Sequence, residues 1–266
     1  MKIFALDTSS KVATIGILED DKVLLENTLN DKKTHSENLM PMIEAAFHSV
    51  NLTPGDMDVF GVTLGPGAFT GLRIGISTIK GMAEALGKPV VGLSSLEVLA
   101  GGIPPTDRII CPILDAQRNQ VYAGLYQYQS DPHSNKDNQE SQDNRDKQDR
   151  VDNEPIMTRI RDTEVIKIED LLEVAAQLKE KILFVGDGVN LHEKTLREGL
   201  GARYEKSFFA HRIPRASVVG ALTRRKHLEG KSYGAEQLKP VYLRKSQAEV
   251  QFDQHQQSLG KEGSNK

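Results

Sequence analysis

The chain has 266 residues, 34 Lys and Arg against 37 Asp and Glu, and a single cysteine, Cys111. A net charge of -3 gives no global attraction for nucleic acid or an anionic membrane, and one thiol cannot form an internal disulfide, which fits a reducing, cytoplasmic compartment. The opening apolar run, Ile3 to Leu6, is too short for a signal peptide, and no segment approaches the ~20 apolar residues of a membrane span.

Residues 2–6, 12–18 and 23–29 read as strands. The turn clusters Asp7-Thr8-Ser9-Ser10 and Glu19-Asp20-Asp21-Lys22 join them, so an antiparallel meander is predicted. Thr34, with Glu37 three positions on, opens a helix that runs to about residue 50. A buried strand over 58–64 leads through Gly65-Pro66-Gly67-Ala68-Phe69 into a second helix near Thr70, which stops at Gly87-Lys88-Pro89. A strand over 90–93 and a helical stretch over 95–100 precede a Gly/Pro linker at 101–105. Beyond it come strands over 108–114 and 120–128, a helix over 168–179, a strand over 182–185, and helices near 190–198 and 216–229. This order predicts an α/β fold of two mixed-sheet lobes, an N-terminal one over 1–103 and a C-terminal one over 104–245. The polar stretch at about 129–155 and the tail over 246–266 lack the apolar residues to offset their ordering entropy and are expected to be disordered.

Catalytic constellations are mostly absent. There is no Gly-x-Ser-x-Gly elbow, and Cys111 lies inside a predicted strand, where a thiol is core rather than nucleophile. Helical metal pairs fail: His35 has Leu39 four residues on, and His192-Glu193 is followed by Leu196. No catalytic or metal-ligating residue is therefore predicted. The Gly65–Gly71 loop between strand and helix could aim backbone N–H groups at phosphate, or simply be a tight connection; it matches neither the P-loop nor the dinucleotide fingerprint. Asp7, Thr8 and Ser9 are candidates for a weak contact to a nucleotide such as ATP or ADP, and are equally an ordinary turn. The basic clusters His211-Arg212 with Arg215, and Arg224-Arg225-Lys226-His227, fit RNA phosphates or a solvated helix end, the latter being favoured.

The two N-terminal helices carry more apolar surface than one lobe requires. On the second, Leu72, Ile76, Ile79, Ala83 and Leu86 form one stripe, and Gly71, Ile74, Gly75, Thr78, Met82 and Ala85 a second. On the first, Met40 and Phe47 widen the core stripe of Leu39, Ile43, Ala46 and Val50. Met40, Phe47, Gly71, Ile74, Gly75, Thr78 and Met82 are thus the predicted interface with another chain, the alternative being that both helices are sandwiched inside their own lobe.

Several separated segments resemble the TsaB family (YeaZ, glycoprotease-like) of bacterial tRNA threonylcarbamoyladenosine biosynthesis proteins. They are Leu6-Asp7-Thr8-Ser9-Ser10, His35-Ser36-Glu37, the run Gly65-Pro66-Gly67-Ala68-Phe69-Thr70-Gly71-Leu72-Arg73-Ile74-Gly75, Leu93-Ser94-Ser95-Leu96, Asp115-Ala116 with Val121-Tyr122, and Pro240-Val241-Tyr242-Leu243-Arg244. The resemblance implies an actin-like (ASKHA) fold and a non-catalytic, activating subunit. It also implies a TsaD-like catalytic homologue as partner, a TsaE-like ATPase in the same complex, tRNA reached indirectly through that complex, and docking through the two N-lobe helices. Alone, the chain is expected to be able to homodimerise. The catalytic homologue's His-x-x-x-His pair is broken here at Leu39, while Ala68 and Gln117 stand where the family usually has Ser and Arg. The alternative is an independent actin-like ATPase or phosphotransferase with Asp7 beside a metal.

Overall fold

A computed structural model describes residues 1–31, 35–129 and 156–244. The polar insert, the tail beyond Arg244 and the proposed cap Thr34 lie outside the described residues. The chain forms two units: Met1–Val98 together with the residues from Pro214 onward, and Leu99–Ile213. This corrects the division expected at the Gly/Pro linker. The chain leaves the first unit within a helix, and the last helix, expected in the C-terminal lobe, belongs to the first because its apolar face is part of that unit's core.

In the first unit, β1 (Lys2–Asp7), β2 (Ala13–Glu19) and β3 (Lys22–Leu29) form the expected antiparallel meander. On the other side of β1 lie β4 (Val59–Gly65) and β5 (Val90–Ser94), both parallel to it, giving the order β3-β2-β1-β4-β5. Successive side chains of β1 point to opposite faces, and both faces are covered. Phe4 and Leu6 pack with α1 (His35–Ser49) and α2 (Phe69–Leu86), while Ile3 and Ala5 pack with α6 (Ala216–Leu228). Burial on both faces explains why β1 and β4 read as continuous apolar runs. Helix α2 ends as predicted, on Gly87 in the left-handed region at φ 63°.

The second unit starts within α3 (Ser95–Gly101) and holds the sheet β10-β9-β6-β7-β8. Its strands are β6 (Ile109–Asp115), β7 (Gln120–Tyr128), β8 (Met157–Lys167), β9 (Ile182–Val185) and β10 (Tyr204–Lys206). Helices α4 (Ile168–Ala176) and α5 (Gly188–Leu200) complete its core. Strand β8 is not legible in the sequence: Arg159, Ile160, Arg161 and Asp162 are exposed on this edge strand, and its pairing with β7 shifts register twice, so no alternation survives. The β7–β8 connection leaves and returns at one point, where Gln129 N–H donates to the Ile156 carbonyl at 2.9 Å.

Glu26 of β3 organises the start of α6. Its carboxylate accepts from Ser217 N–H at 2.9 Å, from the Ser217 hydroxyl at 2.8 Å and from Arg215 Nε at 3.0 Å, with a second Arg215 nitrogen closing the fork. Thus a side chain distant in sequence supplies the cap that the helix lacks locally. Burial pushes the Glu26 carboxyl up, but the bonds from Arg215 and Ser217 outweigh it and hold it below its ordinary value. Its contribution is therefore present above the unfolded-state value of about 4.3 and is lost as pH falls through the lowered folded value. Glu26→Gln is expected to cost about 1–2 kcal/mol near neutral pH and to flatten the acid limb of the stability curve. Thermal melts of both proteins from pH 7 to pH 3 check this.

Candidate functional site

The β1–β2 turn lies at the carboxyl ends of the parallel strands β1 and β4, the edge where open α/β sheets receive ligands. Asp7, Thr8 and Ser9 are all there, and none is more than 1 % exposed. Asp7 accepts from Ser9 N–H at 3.0 Å and from the Ser9 hydroxyl at 3.0 and 3.1 Å. Burial raises the Asp7 carboxyl above the usual carboxylate range, although Thr63, Ser9 and the nearby His35 pull the other way. The Thr8 hydroxyl donates to the Gly71 carbonyl at 2.8 Å, and Ala68 N–H donates to the Ser9 carbonyl at 2.7 Å. His35 Nε2 lies 2.8 Å from the Ser10 carbonyl oxygen, and Leu39 is in the core. Turn, glycine loop and His35 thus spend their polar groups on one another. Among the described residues there is no group of three or more His, Cys, Asp or Glu arranged to hold a metal ion.

The turn presses directly onto α2. A β-carbon at Gly71 would stand 2.2 Å from the Thr8 carbonyl oxygen, and one at Gly75 would stand 2.2 Å from the Thr8 hydroxyl. Both glycines are buried by the chain's own turn, which removes them from the predicted interface. Phe47 leaves it too: it is 5 % exposed and stacks on Phe4 with ring centroids 5.2 Å apart, because it falls in the same broad stripe as Leu39 and Ile43. Of the other predicted interface residues, Met40 is 56 % exposed, and Ile74, Thr78 and Met82 are half-buried along α2.

Two residues of this surface were missed in the sequence. Gly81, exposed in the interior of α2, has no atom within 4 Å of where its β-carbon would be. A glycine in mid-helix costs about 0.5–1 kcal/mol relative to alanine, and that unexplained cost was the available signal. Tyr242 stacks on Phe69 at 4.7 Å and accepts from Arg73 Nε at 2.8 Å; only its tertiary position reveals it.

Most side chains of the basic clusters are engaged within the chain, although the buried Arg224 Nε has no hydrogen-bond partner. Lys226 and Arg225 pair with Glu97 at 2.7 and 3.9 Å, Arg212 donates to the Ser207 carbonyl and to Asn190, and Arg215 is held by Glu26. Burial pushes the Cys111 thiol up, away from reactivity. Gln117, in the departing position of the β6–β7 turn, is exposed and left-handed at φ 61°.

Two mixed five-stranded sheets with helices, and a β1–β2 turn locked against a glycine loop, define an actin-like (ASKHA) α/β protein. The family model described as TsaD, tRNA N6-adenosine threonylcarbamoyltransferase, matches residues 22–252. The tRNA threonylcarbamoyladenosine biosynthesis protein TsaB of Bacillus subtilis (strain 168) is 30% identical over 96% of this chain and 100% of its own length. The TsaB of Escherichia coli (strain K12) is 26% identical over 93% and 96%. Among solved structures, a Pseudomonas aeruginosa protein described as similar to peptidase YeaZ superposes with a TM-score of 0.70 at 25% identity, covering 91% of this chain and 99% of that one. YeaZ from the same organism gives 0.67 at 23%, covering 91% and 100%. The chain belongs to the TsaB (YeaZ) family.

Because Gly75 has no room for a side chain, Gly75→Ala is expected to destabilise the isolated protein by about 1–3 kcal/mol, and Gly75→Arg to prevent folding. Thermal melts compared with wild type are the check; a melt unchanged in Gly75→Ala would contradict the close approach of Thr8.

Proposed function

We propose that this chain is a non-catalytic subunit of tRNA threonylcarbamoyladenosine (t6A) biosynthesis that activates a TsaD-like catalytic homologue by docking the outer face of α1 and α2 onto it. Family membership and the names of the Bacillus and Escherichia relatives support the pathway. The outer face of α2 supports the docking. Thr70, Ser77, Gly81 and Ala85 are exposed there, Ile74, Thr78 and Met82 are half-buried beside them, and charge is confined to the flank formed by Arg73, Lys80 and Glu84. An uncharged face of small residues is what a closely approaching partner helix requires, and Gly81 is the observation that carries this reading, since nothing in the described chain needs its missing β-carbon. Met40 extends the same apolar character onto α1. The complex is completed by a TsaE-like ATPase and reaches tRNA through its other members. Without its partner the chain self-associates through this face.

Nucleotide, in this reading, is a ligand of the shared partner interface rather than of the turn. An independent ATPase would require a reachable carboxylate at Asp7, whereas this one is 0 % exposed and bonded inside its own turn. No helix among the described residues is long and apolar enough to cross a membrane.

Gly81→Arg separates docking from folding. The isolated variant should fold and melt no lower than wild type, since the position opens to solvent and arginine is a better helix former than glycine, and it should no longer co-elute with the catalytic homologue in size-exclusion chromatography. Gly81→Ala should be more stable by up to about 1 kcal/mol. Undiminished co-elution of Gly81→Arg, or ATP turnover by the purified chain that disappears in Asp7→Ala, would overturn the proposal.

A further inference from the structure

The motif Pro240-Val241-Tyr242-Leu243-Arg244 has no part in the turn or in the core, yet it lies against the start of α2. Val241 N–H donates to the Leu64 carbonyl at 2.8 Å, at the end of β4. One residue on, the Tyr242 ring stacks on Phe69, the first residue of α2, with centroids 4.7 Å apart and 21° between planes. Its hydroxyl accepts from Arg73 Nε at 2.8 Å, and the Arg73 guanidinium carbon lies 5.5 Å from the ring centre. The approach is close: a β-carbon at Gly65, where φ is 116°, would meet the Val241 carbonyl oxygen at 2.8 Å.

This contact adds a second hold on the first turns of α2, beside the one that Thr8 and Ser9 already provide. Ala68, at its N-cap, makes no side-chain cap bond, and its first turn contains no acidic residue, so neither of the usual local devices fixes where the helix begins. The segment is only partly buried, with Val241, Tyr242 and Leu243 left 45, 40 and 36 % exposed. Among its contacts are one backbone hydrogen bond, one ring stack and one arginine, and a segment that stays partly exposed belongs to the lower-stability part of a fold.

We propose that residues 241–243 are a latch on the first turns of α2, with Tyr242 as the positioning residue that keeps this helix in its docking pose. Closing the latch and engaging the partner are thermodynamically linked, because a helix whose start is already fixed loses less freedom on docking. The link to docking rests on the function proposed above; the latch itself does not.

The test uses the full-length chain with Tyr242→Ala, and with Tyr242→Phe, which keeps the stack and loses the hydroxyl. In the isolated protein, Tyr242→Ala should accelerate hydrogen exchange of the Val241, Leu72 and Arg73 amides about tenfold while β1 amides exchange as in wild type. Binding to the TsaD-like partner should weaken about tenfold, and Tyr242→Phe should recover most of both losses. Wild-type exchange at these amides in Tyr242→Ala, or equal acceleration of β1, would overturn the latch. Faster local exchange with undiminished binding would overturn its coupling to docking, provided Gly81→Arg abolishes binding. If Gly81→Arg also binds normally, the docking face itself is wrong, and the exchange measurement still decides the latch.

Discussion

Thr8 sits where three parts of the first unit meet: the turn that follows β1, the glycine loop that follows β4, and the first turns of α2. Its hydroxyl bonds to the Gly71 carbonyl and occupies the space that a side chain at Gly75 would fill. That approach consumes the polar groups of the turn and fixes one side of α2 against the sheet edge. The turn at the carboxyl edge of the sheet thus joins strand, loop and helix. The same contact turns the remaining side of α2 outward, so the closed turn and the open helix face have one cause.

Charge shows a similar economy. Lys226, Arg225, Arg212 and Arg215, which read as basic clusters in the sequence, bond to carboxylates or carbonyls of the chain itself. Glu26 gives the clearest case, since its carboxylate joins β3 to the start of α6 across a long span of sequence. The outer face of α2, by contrast, carries no charge of its own, since Arg73, Lys80 and Glu84 lie to one side of it. This agrees with a protein that acts by contact, as we propose.

Much of the architecture was legible because the first sheet is covered on both faces. β1 and β4 appear as unbroken apolar runs, and α2 is punctuated by Gly87 as expected. β8 was not legible: an exposed, charged edge strand with broken register has no period to detect. The domain division failed for a related reason, since a Gly/Pro cluster marks a bend but does not say which core a later helix joins. At the site, the wheel of α2 measured how much apolar surface exists without saying what covers each part. Gly71, Gly75 and Gly81 are indistinguishable in the sequence; two are covered by Thr8 and one by nothing in the described chain. Phe47 was misplaced for the same reason, because the extra width of its stripe is filled by Phe4.

The hydrogen bond between Gln129 and Ile156 clamps the far end of β7 to the beginning of β8, immediately beside the Tyr128–Met157 pair. Register at this end of the ladder is therefore held by the backbone of the two strands themselves, which offsets the two register shifts further along it.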